Sequence, residues 1–309
     1  MNLIICYTPL QVLIAEKIIE RHKGEDFYAV MVDSIGNKKF EYYSLRLSLK
    51  AKKFLKIKES FKSLNRLKDI ICLKMKFYQL SFDKVFVASI NDLYIQNIIS
   101  YISFQELFTF DDGTSNIVNS GEFYESDKAG VKRKIINFLT QNKYTVRKLK
   151  NISKAHYTIF PGFSNLIENC IEVNLIAKKE VFPNLVRPTH TVNLLLGQPI
   201  YHNKVLNIEL AKRVIEIFNI YQYFPHPREE YVVDGIEYID TPLIFEDYII
   251  QNQDKHYRVY TYFSSSVLQI LEFPNVEIIS LRVDTNNVSY NAVYDLFGKM
   301  GIKIIDLHK

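Results

Sequence analysis

Short apolar runs rich in β-branched residues, each followed by a stretch of helical period, recur along this chain, and that alternation admits little other than parallel sheets flanked by helices. Asn2 to Tyr7 is the first run, Pro9 to Arg21 carries a helical pattern, and Phe27 to Val32 is the second run. The opening residues therefore spell strand, helix, strand. Lys84 to Ala88 and Leu107 to Phe110 are further buried strands with a helix over Asp92 to Ile99 between them, and Tyr157 to Phe160 continues the series. A break falls at Phe182 to Pro188, where two prolines flank a short segment. Beyond it the rhythm starts afresh: strands at Val192–Leu196, Gln222–Phe224, Tyr238–Ile239, Arg258–Tyr262, Val276–Leu281 and Lys303–Leu307, with helices at Glu209–Phe218, Phe245–Gln251, Ser264–Leu271 and Tyr290–Met300.

A chain of 309 residues is long for one core and comfortable for two. The expected organisation is α/β, with two Rossmann-like domains, 1–187 and 188–309, facing a central cleft. No internal repeat or low-complexity tract interrupts them.

Composition removes several classes of function. Cys6, Cys72 and Cys170 are far apart and odd in number, with no CxxC or HxxxH, so neither a disulfide framework nor a metal site is expected. A reduced cytoplasmic compartment fits. The apolar start is broken by Thr8, Pro9 and Gln11 and lacks a basic leader, so a signal peptide is not expected, and no run reaches the roughly 20 residues of a membrane span. A Walker lysine motif, GxGxxG and GxSxG are all missing, and 10 glycines argue against a dinucleotide cradle.

The formal charge of +5 is unevenly spread. Lys50 to Lys76 holds ten Lys/Arg against Glu59 and Asp69, and Lys132 to Lys154 holds eight with no acid. Apolar residues interleave at helical spacing in both, namely Phe54, Ile57, Phe61 and Leu64, then Ile135, Phe138 and Leu139. Two readings stand: solvated helix faces over a buried stripe, or attraction to an anionic membrane surface. Nucleic acid is not expected, because no RNP, zinc-finger or helix-turn-helix signature accompanies the charge.

Four constellations sit at the ends of expected strands, where open α/β sheets bind ligands. In Phe110-Asp111-Asp112-Gly113-Thr114-Ser115 the paired carboxylates suit a general base, although Asp and Gly also make turns. In Tyr223-Phe224-Pro225-His226-Pro227-Arg228 two prolines fix the backbone around His226, which can serve a phosphate leaving group or be structural. In Thr241-Pro242-Leu243-Ile244-Phe245-Glu246 the carboxylate can accept both hydroxyls of a ribose or answer a helix dipole. In Tyr262-Phe263-Ser264-Ser265-Ser266 the hydroxyls lie where a helix begins, as a phosphate site or as N-caps.

In this order, and together with the opening CYTPLQVLIAEKII and the LLGQPI segment, these motifs resemble the bacterial sialyltransferases of glycosyltransferase family 52, the lipooligosaccharide type, over nearly the whole chain. The resemblance implies a GT-B fold and inverting transfer of sialic acid from CMP-sialic acid to a galactose-terminated glycan of lipooligosaccharide or capsule, without metal or cofactor. It implies that His226 and Ser264, Ser265 and Ser266 hold the CMP phosphate and that Glu246 binds the ribose, with Gly113, Pro227 and Phe245 also on the donor. Asp112, or Asp111 beside it, is the implied base. Relatives tend to carry an acid shortly after the GQP segment, whereas Gly197 to Lys204 has no carboxylate, so His202 is an alternative base. The resemblance also makes a homodimer plausible. Two other readings remain: a GT-B enzyme using a different nucleotide sugar, and a non-catalytic, membrane-associated binding protein. The expected place is the cytoplasm, with peripheral contact on the inner face of the bacterial membrane.

Overall fold

A computed structural model describes residues 1–60, 62–114, 116 and 117, 130–175, 191–284 and 288–307. The chain divides into two compact units, Met1–Leu175 and Ile176–Lys309. The boundary expected at 187/188 lies outside the described residues.

The first unit runs β1 (Asn2–Cys6), α1 (Pro9–Arg21), β2 (Phe27–Asp33), α2 (Lys38–Lys50), β3 (Lys53–Lys58), α3 (Ser63–Phe77), β4 (Ser81–Val87), α4 (Leu93–Tyr101), β5 (Ser103–Phe110), α5 (Val131–Leu139), α6 (Val146–Ile152), β6 (Ser153–Thr158) and β7 (Cys170–Glu172). Its strands are all parallel, in the order β3-β2-β1-β4-β5-β6-β7. Strand order reverses between β1 and β4, the position at which such sheets present a crevice. Every residue of β1 is buried, as a central strand covered on both faces requires. Thr8 ends β1 cleanly: its hydroxyl accepts from Gln11 N–H, and Pro9 supplies the preset φ of a first helical residue.

The second unit repeats the plan with β8 (Thr191–Leu196), α7 (Lys204–Phe218), β9 (Gln222–Phe224), β10 (Glu237–Tyr238), α8 (Phe245–Gln251), β11 (His256–Thr261), a 3₁₀ helix (Ser265–Ile270), β12 (Val276–Arg282), α9 (Val288–Lys299) and β13 (Lys303–Asp306). The order is β10-β9-β8-β11-β12-β13, again parallel, with the reversal between β8 and β11. Leu195, Tyr223, Tyr260 and Ile279 from four adjacent strands share one core with Val214 of α7.

Three local expectations are corrected. Phe54 and Ile57 lie on β3, not on a helix, because Leu55 and Ile57 alternate with Phe54 and Lys56 across a pleat; Phe61 is outside the described residues. The helix expected from Ser264 is a six-residue 3₁₀ turn. The stripe of Ile135, Phe138 and Leu139 is helical but faces outward: α5 has no buried residue.

At the opposite edge of the first sheet, Glu25 accepts from Lys84 Nζ at 2.8 and 2.9 Å and from Asn2 Nδ2 at 2.6 Å, tying β1 to β4 and the turn before β2. The Lys84 ammonium first, then the Asn2 amide, lowers the Glu25 carboxyl from about 4.5 to about 2. A depressed carboxylate stabilises the fold above its unfolded value and loses that contribution as pH falls through its folded value. Lys84→Met is therefore expected to lower the thermal midpoint at pH 7, and the gap to wild type should close between about pH 4.5 and about 2. Midpoints measured across that range check it; a gap unchanged at pH 2 contradicts the assignment.

Candidate active site

β5 delivers two neighbouring carboxylates whose side chains take opposite directions, as successive residues leaving a strand do. Asp111 turns inward and is fully buried. It accepts from His156 Nε2 at 2.8 Å, Thr158 Oγ1 at 2.8 Å, Ile159 N at 2.6 Å and Asn165 Nδ2 at 3.3 Å. The other ring nitrogen of His156 meets the Thr109 hydroxyl at 2.8 Å. Four donors fill the acceptor positions of the carboxylate, so Asp111 ties β5 to β6.

Asp112 is half-buried on the other side. Gln11 Nε2 donates to its Oδ1 and Ser89 Oγ to its Oδ2, each at 2.7 Å, while its own N–H donates to Asn116 Oδ1 at 2.7 Å. Gln11 is itself oriented by Tyr7 N–H, which donates to Oε1 at 2.6 Å, and its Nε2 also reaches Ser89 Oγ at 3.1 Å. Asp112 thus stands at the carboxyl ends of β1, β4 and β5, held by two neutral donors with lone-pair capacity remaining. Gly113 follows at φ +63°, a conformation that only glycine adopts without cost, and lets Asp112 bridge to Thr114. Ser115 is outside the described residues. Nearby, Tyr7 OH donates to Asp92, which also caps α4 through Tyr94 N and Ile95 N. Burial raises the carboxyl of Asp92 above its ordinary value.

In the second unit the loops after β9 and β11, the two neighbours of β8, carry the other candidates. His226 is half-buried between Pro225 and Pro227. Its Nδ1 accepts from Arg228 N–H at 3.1 Å. A nitrogen that accepts from a backbone donor carries no proton, so the neutral ring keeps its hydrogen on Nε2 and presents that atom as a donor. Ser264 is buried, and its hydroxyl caps the 3₁₀ helix by accepting from Ser266 N–H at 3.4 Å. Ser265 and Ser266 are half-buried.

The loop after β8 adds Gln198, whose Oε1 accepts from Phe263 N–H at 3.2 Å and so ties that loop to the serine loop. His202 stands exposed just before α7. Phe245 is buried edge-on against Phe224 at 5.2 Å, and Glu246 beside it is buried at the start of α8. Among the described residues no group of three or more His, Cys, Asp and Glu side chains could hold a metal ion.

Sequence reasoning missed Gln11 and Ser89, which orient Asp112, and Glu229, Tyr223 and Gly197, which surround the His226 loop. Gln11, Glu229 and Gly197 all lie inside the CYTPLQ, YFPHPRE and LLGQPI strings, but nothing in spacing reveals a contact made across strands.

The model for glycosyltransferase family 52 matches residues 24–285. A CMP-N-acetylneuraminate:β-galactoside α-2,3-sialyltransferase of Pasteurella multocida is 48% identical over 312 residues, covering 100% of both chains. An N-acetyllactosaminide α-2,3-sialyltransferase of Haemophilus influenzae is 37% identical over 98% of this chain and 99% of its own. Among solved structures, the glycotransferase of kitacinnamycin superposes with a TM-score of 0.54 at 10% identity, over 99% of this chain and 86% of the other, a likeness of GT-B fold alone. With a family model spanning most of its length and a relative alike from end to end, the chain belongs to glycosyltransferase family 52.

Proposed function

We propose that this protein transfers sialic acid from CMP-sialic acid to a hydroxyl of a terminal galactoside on a surface glycan, inverting the anomeric centre without a metal. The 48% full-length likeness to a sialyltransferase of that donor and acceptor class carries the reading. The arrangement of the candidate residues supports it.

In the reaction, the acceptor oxygen bonds to the anomeric carbon of sialic acid as the bond from that carbon to the phosphate oxygen breaks. The electron pair leaves with CMP, and the acceptor proton passes to a base. The donor is already activated, so the protein's task is to stabilise the departing phosphate and orient the acceptor. His226 Nε2–H and the hydroxyls of Ser265 and Ser266 are the proposed phosphate donors. Ser264, which caps the turn with its oxygen, keeps an O–H to donate as well, and the short 3₁₀ turn favours hydroxyls over a long helix dipole for this role. Glu246 is proposed for the ribose hydroxyls, with Pro227 and Phe245 shaping the donor pocket. Asp112 is the proposed base, with Gly113 allowing its placement, and His202 is the alternative. Asp111 is the weaker candidate for the base, because it is fully buried and already accepts four hydrogen bonds.

His226→Ala is expected to cut CMP release in the presence of lactose and EDTA by about 10²-fold. Asp112→Asn, nearly isosteric, should cost about 10²-fold or more in kcat with little change in thermal midpoint. Near-wild-type turnover in Asp112→Asn, with the loss appearing instead in His202→Ala, would move the base to the β8 loop. Asp111→Ala should behave differently. Stranding three or four buried donors at roughly 1–3 kcal/mol each predicts a loss of stability of at least about 3 kcal/mol. Thermal unfolding with CMP, UDP and GDP tests the donor: a bound ligand stabilises by mass action, and stabilisation by UDP alone would favour a different nucleotide sugar.

Peripheral contact with an anionic membrane is part of the proposal, and α5 motivates it. Phe138 is 84% exposed and Val131 75%, and on α3 Leu64 is 77% and Met75 73% exposed. Lys74 of α3 donates to Gln141, just beyond α5, at 2.7 Å, which links the two segments. Lys68 and Lys76 on α3 and Lys132 and Lys134 on α5 are exposed as well. Apolar residues and ammonium groups exposed on the same helices match an anionic bilayer, whereas a second copy would oppose like charges. No helix among the described residues is long and apolar enough to cross a membrane. Co-sedimentation with phosphatidylserine vesicles should be salt-sensitive and weakened by Phe138→Ser. Vesicle binding that ignores the substitution, or a dimer that dissociates with it, would reassign the face.

A further inference from the structure

The loop that presents His226 has a feature that neither its prolines nor the imidazole explains. In Pro225-His226-Pro227 the two prolines have no N–H, so the main chain offers a single donor, that of His226. That N–H points at Glu229 Oε2, 3.4 Å away. The same oxygen accepts from Tyr223 OH at 2.7 Å, and Glu229 N–H returns to His226 O at 3.0 Å. Tyr223 is buried in β9 and stacked obliquely on Tyr238 at 4.8 Å, so the anchor of this chain of bonds is rigid. Burial, then the Glu229 charge, raises the Tyr223 hydroxyl far above its ordinary value, and it stays a donor.

Gly197 closes the arrangement from the β8 loop. Its N–H donates to Phe224 O at 2.9 Å, which draws its backbone onto β9. A Cβ on Gly197 would stand 2.4 Å from Tyr223 Oη, 2.6 Å from Tyr223 Cζ and 2.7 Å from Glu229 Oε2. No side chain fits there without displacing the pair. Gly197 has no positive φ, so this close approach is what requires glycine at the position.

We propose that Glu229, gripped between the Tyr223 hydroxyl and the His226 N–H beneath Gly197, is a positioning residue that sets where the His226 imidazole stands. The inference rests on the role proposed above for His226 and deepens it. Glu229 acts on the backbone of the His226 loop, and Arg228 N–H then orients the ring through Nδ1. A misplacement of about 1 Å at a reacting group costs on the order of 10²-fold.

The test compares Glu229→Ala, Glu229→Gln and Gly197→Ala, alone and combined with His226→Ala. Glu229→Ala and Gly197→Ala should each lower kcat on the order of 10²-fold, with a smaller effect on donor KM and a reduced CMP-induced thermal stabilisation, since CMP carries the phosphate that His226 is proposed to hold. Glu229→Gln keeps a carbonyl oxygen for both donors and should recover most of the turnover. In the His226→Ala background, Glu229→Ala should cost almost nothing more, because residues acting as one unit are non-additive. Imidazole nitrogen chemical shifts of His226 give a readout independent of turnover: one Nε2–H tautomer in wild type and Glu229→Gln, and tautomer averaging in Glu229→Ala. Equal losses in both backgrounds, or wild-type shifts in Glu229→Ala, overturn the assignment. A wild-type protein that leaves CMP-sialic acid intact would sink the donor reading instead, while the shifts still decide the role of Glu229.

Discussion

Parallel strand pairing governs everything that this chain can do chemically. A parallel sheet sends each strand in the same direction, so every loop that follows a strand emerges at one edge, however far apart the loops are in sequence. At that edge of the first unit Gln11, Ser89 and Asp112 come from three different segments and meet within 2.7–3.1 Å. At the corresponding edge of the second, Gly197, His226 and Ser264 follow β8, β9 and β11, which are adjacent in the sheet order β10-β9-β8-β11-β12-β13. The buried central strands make these placements firm. β1 is covered along its whole length, and Thr8 ends it with a hydroxyl-capped helix rather than a flexible turn.

Within that frame, adjacent residues of the same type are given different tasks by direction alone. Asp111 and Asp112 are chemically identical, yet one meets four donors in the core and the other two donors at its edge. The three serines divide in the same way. Ser264 is buried and caps the turn with its oxygen, and the two that follow are half-buried. Composition and motif spacing treat such neighbours as equivalent; burial and hydrogen-bond saturation separate them.

This distinction marks how far the sequence could be read. The strand–helix rhythm was legible because buried parallel strands are continuous apolar runs, as at Val30 to Val32 and Leu194 to Leu196. The loops that carry Asp112, His226 and Ser264 were legible because each follows a buried strand end. Phe54 and Ile57 misled because two apolar residues three apart fit a helix, while Leu55 between them restores the alternation of a strand. The stripe on α5 was read correctly as amphipathic, but periodicity reports a face, not what covers it; Phe138 at 84% exposure has no core beneath it. The serine helix was over-read because a cap residue marks the start of a turn without fixing its length or pitch.

The contacts that stayed hidden share one cause. Gln11 reaches Asp112 across 101 positions, and Gly197, which has no side chain, lies against a side chain of the next strand. Each depends on the register of neighbouring strands, which local propensity does not encode. Yet these contacts sit inside the strings that carried the family resemblance, which gives those strings a physical meaning. In YFPHPRE the aromatic hydroxyl and the main-chain N–H of the histidine meet on the final carboxylate, and the glycine of LLGQPI leaves room for them. A motif of this kind is the trace of a packed arrangement rather than a row of reacting groups. Only one of its members needs to touch substrate for all of them to be required.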